Sequence, residues 1–208
     1  MVDASWGNGM SSRHERGWDS VYHQYSPDVL PWELGRPRRV LVELVESGQL
    51  APCRALDLCC GAGTNPVYLA EKGFEVTVLD ISDRAVEITK EKADGAVVDM
   101  NLVVGDFLNL PFRSQEFEFA FDFGCFHHVG VQDRRSFVSG LHRVLKPRSL
   151  YLLVCFSYRN GPSWHHFTKR QIIDLFDGFF EIERIKHISS VERDRAMRYF
   201  YEVLMRRK

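Results

Sequence analysis

The sequence predicts an α/β fold built on a parallel β-sheet. From Arg54 onwards, apolar runs of strand length alternate with segments of helical spacing, which is typical of strand–helix–strand crossovers. A turn with two glycines separates the first predicted strand from a helix with clear end signals. Hydrophobic residues make up 45% of the 208-residue chain and charged residues 26%, so we expect one domain with a sizeable core.

The predicted strands are short runs rich in apolar and β-branched residues. They cover Arg54–Cys59, Glu75–Leu79, Leu102–Val104, Phe117–Phe121 and Leu150–Phe156, and a closing strand pair covers about Phe179–His187 and Ala196–Met205.

The predicted helices lie between these strands, and capping residues mark their ends. Thr64 or Asn65 is expected to cap the first helix, with Pro66 in its first turn and Gly73 just after its end. Ser82 is expected to cap the second, which runs to about Ala93. Two further helices are predicted over about Asp133–Val144 and Thr168–Phe176.

The first 50 residues differ from the rest of the chain. Residues 1–12 are small and polar and predict a disordered tail. Residues 13–50 predict a helical segment, rich in aromatic residues before Pro27 and apolar at helical spacing before Gly48, at Val40, Leu41, Leu44 and Val45. We interpret this segment as a lid over a site in residues 51–208, with a protein interface as the alternative.

Composition argues against several classes of function. The net charge of −1 gives no positive field for nucleic acid, and no apolar run reaches the length of a membrane span. The N-terminus lacks the apolar segment of a secretory signal, which favours a cytoplasmic location. The five cysteines are odd in number and show no CxxC spacing, so we expect buried, reduced thiols rather than disulfides or a metal site.

Residues with useful chemistry follow the predicted strands, at the sheet edge where parallel sheets bind ligands. After the first strand, Gly61 and Gly63 let a ligand approach the backbone at the start of a helix. After the second strand, Asp80 can accept hydrogen bonds from both hydroxyls of a ribose. The pattern therefore predicts a ligand that contains a nucleoside.

Two further strand ends complete the predicted site. After the third strand, Asp106 can accept a hydrogen bond from an adenine amino group, and Phe107 can pack on the adenine ring. After the fourth, Phe123 can face a positive charge, while His127 or His128 can accept a proton. In the alternative interpretation, one of these histidines packs in the protein and the other is solvated.

Several motifs together resemble the class I S-adenosylmethionine-dependent methyltransferases over about residues 32–208. They are Asp57-x-Cys59-x-Gly61-x-Gly63, Asp80, Gly105-Asp106 and the strand that ends in Asp122. Within this class, Trp32-Glu33-x-Gly35-x-Pro37 and the stretches 123–128 and 161–168 resemble the thiopurine, halide and tellurite methyltransferase branch. The turn of this family usually has glycine where this chain has Cys59.

The resemblance implies a Rossmann-like three-layer sandwich, whose seven-stranded sheet is mostly parallel with the last strand antiparallel. It implies S-adenosylmethionine as methyl donor, S-adenosylhomocysteine as product and a small-molecule acceptor such as a thiol or a metalloid, in a monomer or homodimer. The expected catalytic residues are His127, His128 and Tyr158. The expected donor-binding residues are Trp32, Arg36, Asp57, Cys59, Gly61, Gly63, Asn65, Asp80, Ile81, Gly105, Asp106, Phe107, Asp122 and Phe123.

Two residues argue against the rival hypothesis of an NAD-dependent oxidoreductase. A dinucleotide turn favours Gly or Ala at position 66, where this chain has Pro66. Asp57 would repel a pyrophosphate but attracts the ammonium group of a methionine moiety. A non-catalytic cofactor-binding protein of the same fold stays open as a third hypothesis, since fold does not fix function.

Overall fold

A computed structural model describes residues 11–162 and 165–208 and confirms the predicted α/β fold. The strands are β1 Arg54–Leu58, β2 Glu75–Asp80, β3 Asn101–Val104, β4 Phe117–Phe123, β5 Leu145–Phe156, β6 Phe180–Val191 and β7 Met197–Arg207. The helices are α1 Ser11–Gln24, α2 Arg39–Glu46, α3 Thr64–Glu71, α4 Asp83–Ala96, α5 Arg134–Val144 and α6 Lys169–Phe176. Short 3-10 turns cover Pro27–Val29, Phe107–Asn109, Phe126–His128 and Tyr158–Asn160.

All seven strands belong to one sheet in the order β3-β2-β1-β4-β5-β7-β6. The pairs from β3 to β5 are parallel, whereas β7 is antiparallel to both of its neighbours, β5 and β6. The predicted closing pair is therefore a hairpin, and its second strand inserts between β5 and the edge strand β6. This confirms the seven-stranded sheet with an antiparallel last strand.

Strand β5 shows why the sheet is covered on both faces. Its side chains from Leu150 to Cys155 are all at most 7% exposed, and successive ones enter different hydrophobic clusters. One cluster contains Leu150, Leu152 and Val154 with residues of α2 and α3, and the other contains Tyr151, Leu153 and Cys155 with residues of α5 and α6. Because side chains of a strand alternate between faces, a continuous apolar run requires helices on both sides.

The structure confirms the predicted N-cap of one helix and contradicts that of another. Ser82 caps α4 as predicted, because its side chain accepts a hydrogen bond from the amide of Ala85 at 3.1 Å. At α3 the capping prediction was wrong: Gly63 occupies the N-cap position and no side chain caps the helix. Thr64 and Asn65 instead fasten the N-terminal segment, since Thr64 Oγ1 donates to Glu33 and Asn65 Oδ1 accepts from the amide of Arg38.

The N-terminal segment packs on the carboxyl-end side of the sheet through α1. Val21 and Tyr22 of α1 form a buried cluster with Ala62 and with Ala85 and Ile88 of α4. Most of the predicted tail, residues 1–10, lies outside the described residues, and Ser11 and Ser12 already belong to α1. Ser163 and Trp164 of the stretch 161–168 also lie outside them.

Within the described part of the chain, the helices are too short or too polar to cross a lipid bilayer.

Candidate active site

A cavity of about 220 Å³ opens at the carboxyl ends of the parallel strands. Its floor comes from the turns after β1, β2 and β4, and its cover from the segment between α1 and α2. Ten of the residues predicted from the sequence line it: Trp32, Cys59, Gly61, Asn65, Asp80, Ile81, Phe107, Phe123, His127 and His128. Residues distant in sequence meet here because neighbouring parallel strands end at the same edge.

Asp80, the last residue of β2, lies in this cavity and is only 5% exposed. Its Oδ2 accepts the amide hydrogen of Gly61 at 2.9 Å, and its Oδ1 accepts that of Ser82 at 3.0 Å. Burial raises the pKa of Asp80, against the lowering effect of these two amides. A carboxylate has about four lone-pair sites, so each oxygen can still accept a bond from a hydroxyl group.

The two glycines of the first turn are needed for different reasons. At Gly61 (φ +56°), an added Cβ would lie 2.8 Å from the hydroxyl oxygen of Tyr22, so the lid packs directly on this backbone. At Gly63 (φ +78°), an added Cβ would lie 2.9 Å from the Cα of Thr89 in α4. Gly63 therefore allows two helices to approach, and it does not line the cavity.

Asp57 and Asp122 lie on strands beside or near that of Asp80 but do not line the cavity. Asp122 Oδ1 accepts the amides of Cys125 and Phe126, its Oδ2 accepts the hydroxyl hydrogen of Tyr151, and burial raises its pKa to about 7. Asp57 is 2% exposed, and its Oδ2 has no hydrogen-bond partner in the part of the chain that the structure describes. Burial, followed by the charges of Asp122 and Asp80, raises the pKa of Asp57 well above its usual value.

His127 is a buried, neutral ring at the cavity wall. Its Nδ1 accepts the amide hydrogen of Phe156 at 3.3 Å, and its ring stacks on Phe156 with centroids 3.9 Å apart. Burial, followed by the charge of His128, lowers the pKa of His127 well below its usual value. A neutral imidazole that accepts at Nδ1 carries its hydrogen on Nε2, so His127 can donate to a ligand but cannot take its proton.

Aromatic rings line the rest of the cavity on two sides. On the sheet side, Phe123 and Phe156 both pack against Phe200, with centroids 5.3 and 5.1 Å apart. On the lid side, Trp18 lies edge-on to Trp32 at 5.7 Å and to His128 at 4.9 Å.

The far end of the cavity is closed by a buried ion pair between the lid and the β6–β7 turn. The guanidinium of Arg38 makes two 2.9 Å hydrogen bonds to the carboxylate of Glu192 and lies 3.7 Å above the ring of Phe123. Both side chains are less than 10% exposed and both line the cavity.

Comparisons with known proteins identify the chain as a methyltransferase. A family model described as a methyltransferase domain matches residues 55–148. An uncharacterized methyltransferase of Schizosaccharomyces pombe is 30% identical over 119 residues, which are 57% of this chain and 81% of that protein. The chain belongs to the class I S-adenosylmethionine-dependent methyltransferases.

Other proteins are also similar to this chain. The probable thiol methyltransferase 2 of Arabidopsis thaliana is 31% identical over 71% of this chain and 64% of its own length. A structure described with the conversion of a disulfide bond into a thioacetal group during echinomycin biosynthesis has the same fold, with 24% identity and a TM-score of 0.82 over 93% of this chain and 92% of that one. For three curated relatives, the Arabidopsis protein included, the match spans only 57 to 64% of their length.

Seven residues predicted for the methyltransferase site lie outside the cavity lining: Arg36, Asp57, Gly63, Gly105, Asp106, Asp122 and Tyr158. Arg36 is exposed, whereas Arg38, two positions further on, is buried and lines the cavity. Asp106 caps the following 3-10 turn, because its Oδ1 accepts the amide of Leu108 at 2.8 Å. Tyr158 is 48% exposed and packs beside His187, and its catalytic role stays a prediction.

The prediction of five reduced cysteines was also wrong. Cys59 and Cys125 form a disulfide, while Cys53, Cys60 and Cys155 are free thiols. The two bridged residues are 66 positions apart, but they follow β1 and β4, which are adjacent in the sheet. Sequence spacing therefore carried no signal for the pairing, which depends on strand order.

Sequence analysis missed other cavity residues that come from distant segments, among them Glu33, Arg38, Phe156, Glu192, Arg198 and Phe200. The last three belong to the β6–β7 hairpin, whose strands were predicted without any link to the site. Arg198, near the start of β7, is 14% exposed and pairs with Asp194.

Proposed function

We propose that this chain transfers the methyl group of S-adenosylmethionine to a small acceptor with a soft nucleophilic atom, a thiol or a metalloid. This proposal rests on the observation that the two halves of one cavity are lined by different kinds of side chain. One half has the groups that hold an adenosine, at Asp80, Gly61 and Phe107, and the other has aromatic walls around His127 and His128.

The residues present fit the donor on two grounds. Asp80 keeps acceptor capacity on both carboxylate oxygens beyond its two backbone bonds, which suits the two hydroxyls of a ribose. Gly61 carries no side chain, so a ligand can reach its backbone once the Tyr22 hydroxyl group that packs there moves aside. When bound, the donor supplies a methyl group on a positively charged sulfur, which is already an activated electrophile.

The acceptor half is suited to a nucleophile that loses its proton easily. The carboxylate of Glu192 is bound to Arg38, and that of Glu33 accepts from Gly35 and Thr64, so both are engaged in structural bonds. His127 carries its hydrogen on Nε2 and serves as a donor. We assign His128 as the proton acceptor, because an imidazole can deprotonate a thiol far more readily than an alcohol.

The lid residues would exclude water from the reacting groups. Tyr22 is 7% exposed, and Trp32 Nε1 donates a hydrogen bond to its hydroxyl at 3.3 Å. Transfer from a sulfonium needs alignment of acceptor, methyl and leaving sulfur, which a closed aromatic cavity provides.

Calorimetric titration with S-adenosylhomocysteine tests the donor assignment. We expect Asp80→Ala to weaken binding by about 10- to 100-fold, since hydrogen bonds to a charged group contribute about 1.5–3 kcal/mol. Asp94→Ala is the matched control, because this exposed carboxylate forms an ion pair with Lys90 outside the cavity. Equal affinity of wild type and Asp80→Ala, with an unchanged circular dichroism spectrum, would disprove the assignment.

The acceptor class is tested by measuring S-adenosylhomocysteine release with thiols, metalloid oxyanions, halides and small amines. We expect turnover with thiols or metalloids and a loss of thiol turnover at pH 7 in His128→Asn that recovers at alkaline pH. Tight binding of the product without turnover of any of these acceptors would contradict catalysis.

A further inference from the structure

The Cys59–Cys125 disulfide lies in the wall of the cavity itself. Both cysteines line it, one in the turn after β1 and the other in the loop after β4. Cys59 is half-buried, whereas Cys125 is 3% exposed. A small thiol that enters the cavity therefore reaches the sulfur of Cys59 first.

Hydrogen bonds from their main-chain amides hold both bridged residues in place independently of the bridge. The amide of Cys59 donates to the carbonyl of Leu79 at 2.7 Å, and the amide of Cys125 donates to Asp122 Oδ1 at 2.9 Å. The two Cα atoms are 5.8 Å apart, within the usual range for a disulfide. The backbones of the two residues would thus stay at bonding distance after reduction, so rotation of the side chains alone can form or break the bond.

The bridge also occupies space that a donor needs. Cys59 has a positive φ of +57°, a backbone conformation that favours glycine and that directs its side chain towards the β4 loop. The family resemblance implies that the methionine end of the donor lies over this turn, and Phe123 lines the same cavity. A sulfur–sulfur bond fixes two large atoms there, whereas two free thiol side chains can rotate away.

We propose that Cys59 and Cys125 form a redox site that controls donor binding, with the dithiol form binding the donor more tightly than the disulfide form. This inference rests on the proposed function. In the reducing direction, a small thiolate attacks the sulfur of Cys59, forms a mixed disulfide and releases Cys125 as a thiolate. A second small thiol then displaces Cys59, so two electrons pass to the cysteines and the two small thiols end as one disulfide.

The neighbouring thiol of Cys60 does not take part in this exchange. Cys60 is 7% exposed, and its Sγ lies 3.5 Å from Thr89 Oγ1. Burial, followed by the charge of Asp80, raises the pKa of Cys60 well above its usual value, and a thiol must ionise to exchange.

Thermodynamic linkage relates the redox equilibrium of the two cysteines to the affinity for the ligand. If reduction tightens binding by a given factor, saturating ligand must favour the dithiol form by the same factor. For a two-electron couple, each tenfold change raises the midpoint potential of the cysteine pair by about 30 mV.

The test uses the full chain, equilibrated with defined ratios of reduced and oxidised dithiothreitol. Acid quenching, alkylation after unfolding and mass spectrometry should count three modified cysteines in the oxidised form and five in the reduced form. Calorimetry should show S-adenosylhomocysteine binding at least tenfold more tightly to the reduced form, and saturating S-adenosylhomocysteine should raise the midpoint potential by about 30 mV or more.

Two variants separate the cysteine pair from general effects of the reductant. Cys125→Ser cannot form the bridge and should bind S-adenosylhomocysteine with one affinity under both conditions. Cys53→Ser, at a half-buried thiol outside the cavity, should keep the full redox response. Equal affinities of the two wild-type forms, or five modified cysteines at every potential, would overturn this inference alone. Absence of binding to both forms would overturn the proposed function and this inference with it.

Discussion

At the scale of single residues, three aspartates show how strand position decides chemistry. Asp57, Asp80 and Asp122 end or nearly end three adjacent strands, and all three are at most 5% exposed. Asp80 alone lines the cavity. Asp122 organises the loop that carries Cys125 and His127, because its oxygens accept the amides at the start of that loop.

The raised pKa of Asp122 predicts that the stability of the fold depends on pH. Its pKa of about 7 lies above the ordinary value of 3.8, so between about pH 4 and 7 the folded chain holds a proton that the unfolded chain has released. The free energy of unfolding of wild type should therefore fall, relative to that of Asp122→Asn, as the pH rises through this window. The expected slope is about 1.4 kcal/mol per pH unit, levelling off above pH 7.

Urea unfolding of both proteins at pH 5, 6, 7 and 8 measures this difference, and other titrating groups cancel in the comparison. A difference in stability that stays constant from pH 5 to 7 would mean that Asp122 is ionised throughout that range.

At the scale of elements, polar hydrogen bonds attach the middle of helix α1 to the start of α4. We call this group of bonds the latch. Asp19 Oδ1 accepts the hydroxyl hydrogen of Ser82 at 2.7 Å and the amide of Arg84 at 3.3 Å, both at the start of α4. The neighbouring residues Trp18, Val21 and Tyr22 then cover the cavity. A lid of few buried contacts opens at a low free-energy cost, so these bonds should set how often the cavity is exposed.

Removing this latch should open α1 while leaving the sheet intact. In Asp19→Ala, amide hydrogen exchange across residues 18–24 should rise by about 10-fold or more, since hydrogen bonds to a charged group contribute about 1.5–3 kcal/mol. Asp94→Ala, which removes an exposed ion pair at the other end of α4, is the matched control. Identical exchange of α1 in wild type and Asp19→Ala would show that apolar packing alone holds the lid.

At the scale of the whole molecule, the β6–β7 hairpin and the N-terminal segment close the site together. Besides the Arg38–Glu192 pair, the amide of Arg193 donates to the carbonyl of Pro31 at 2.9 Å, and its guanidinium donates to that of Glu33. The N-terminal segment and the β6–β7 hairpin thus contact each other above the strands formed by the middle of the chain. Loss of this connection should affect both stability and the shape of the acceptor half.

The buried ion pair gives a prediction for global stability. Glu192→Ala should lower the free energy of unfolding by about 3–5 kcal/mol, because it leaves the buried Arg38 without its partner. The double variant Arg38→Met with Glu192→Leu should recover most of this loss, since apolar residues of similar volume carry no desolvation cost. Glu181→Ala removes an exposed pair with Arg148 and should change stability little in the same urea titration.

The sequence by itself determined the class of fold, the order of the elements and ten of the residues that line the cavity. Periodicity and capping residues are local signals, so the positions of the seven strands and the cap at Ser82 were predictable. Gly61 and Asp80 were predictable because each directly follows or ends a strand, and strand ends in a parallel sheet meet at one edge.

Only the tertiary structure decided which distant residues complete the site. The insertion of β7 beside β5 brings Phe200 to the cavity, the adjacency of β1 and β4 brings Cys59 to Cys125, and packing of the lid selects Arg38 over Arg36. None of these follows from spacing along the chain, because each depends on strand order and on the burial of a face against another element. Local sequence signals determine where a strand ends, whereas long-range packing determines which residues surround that end.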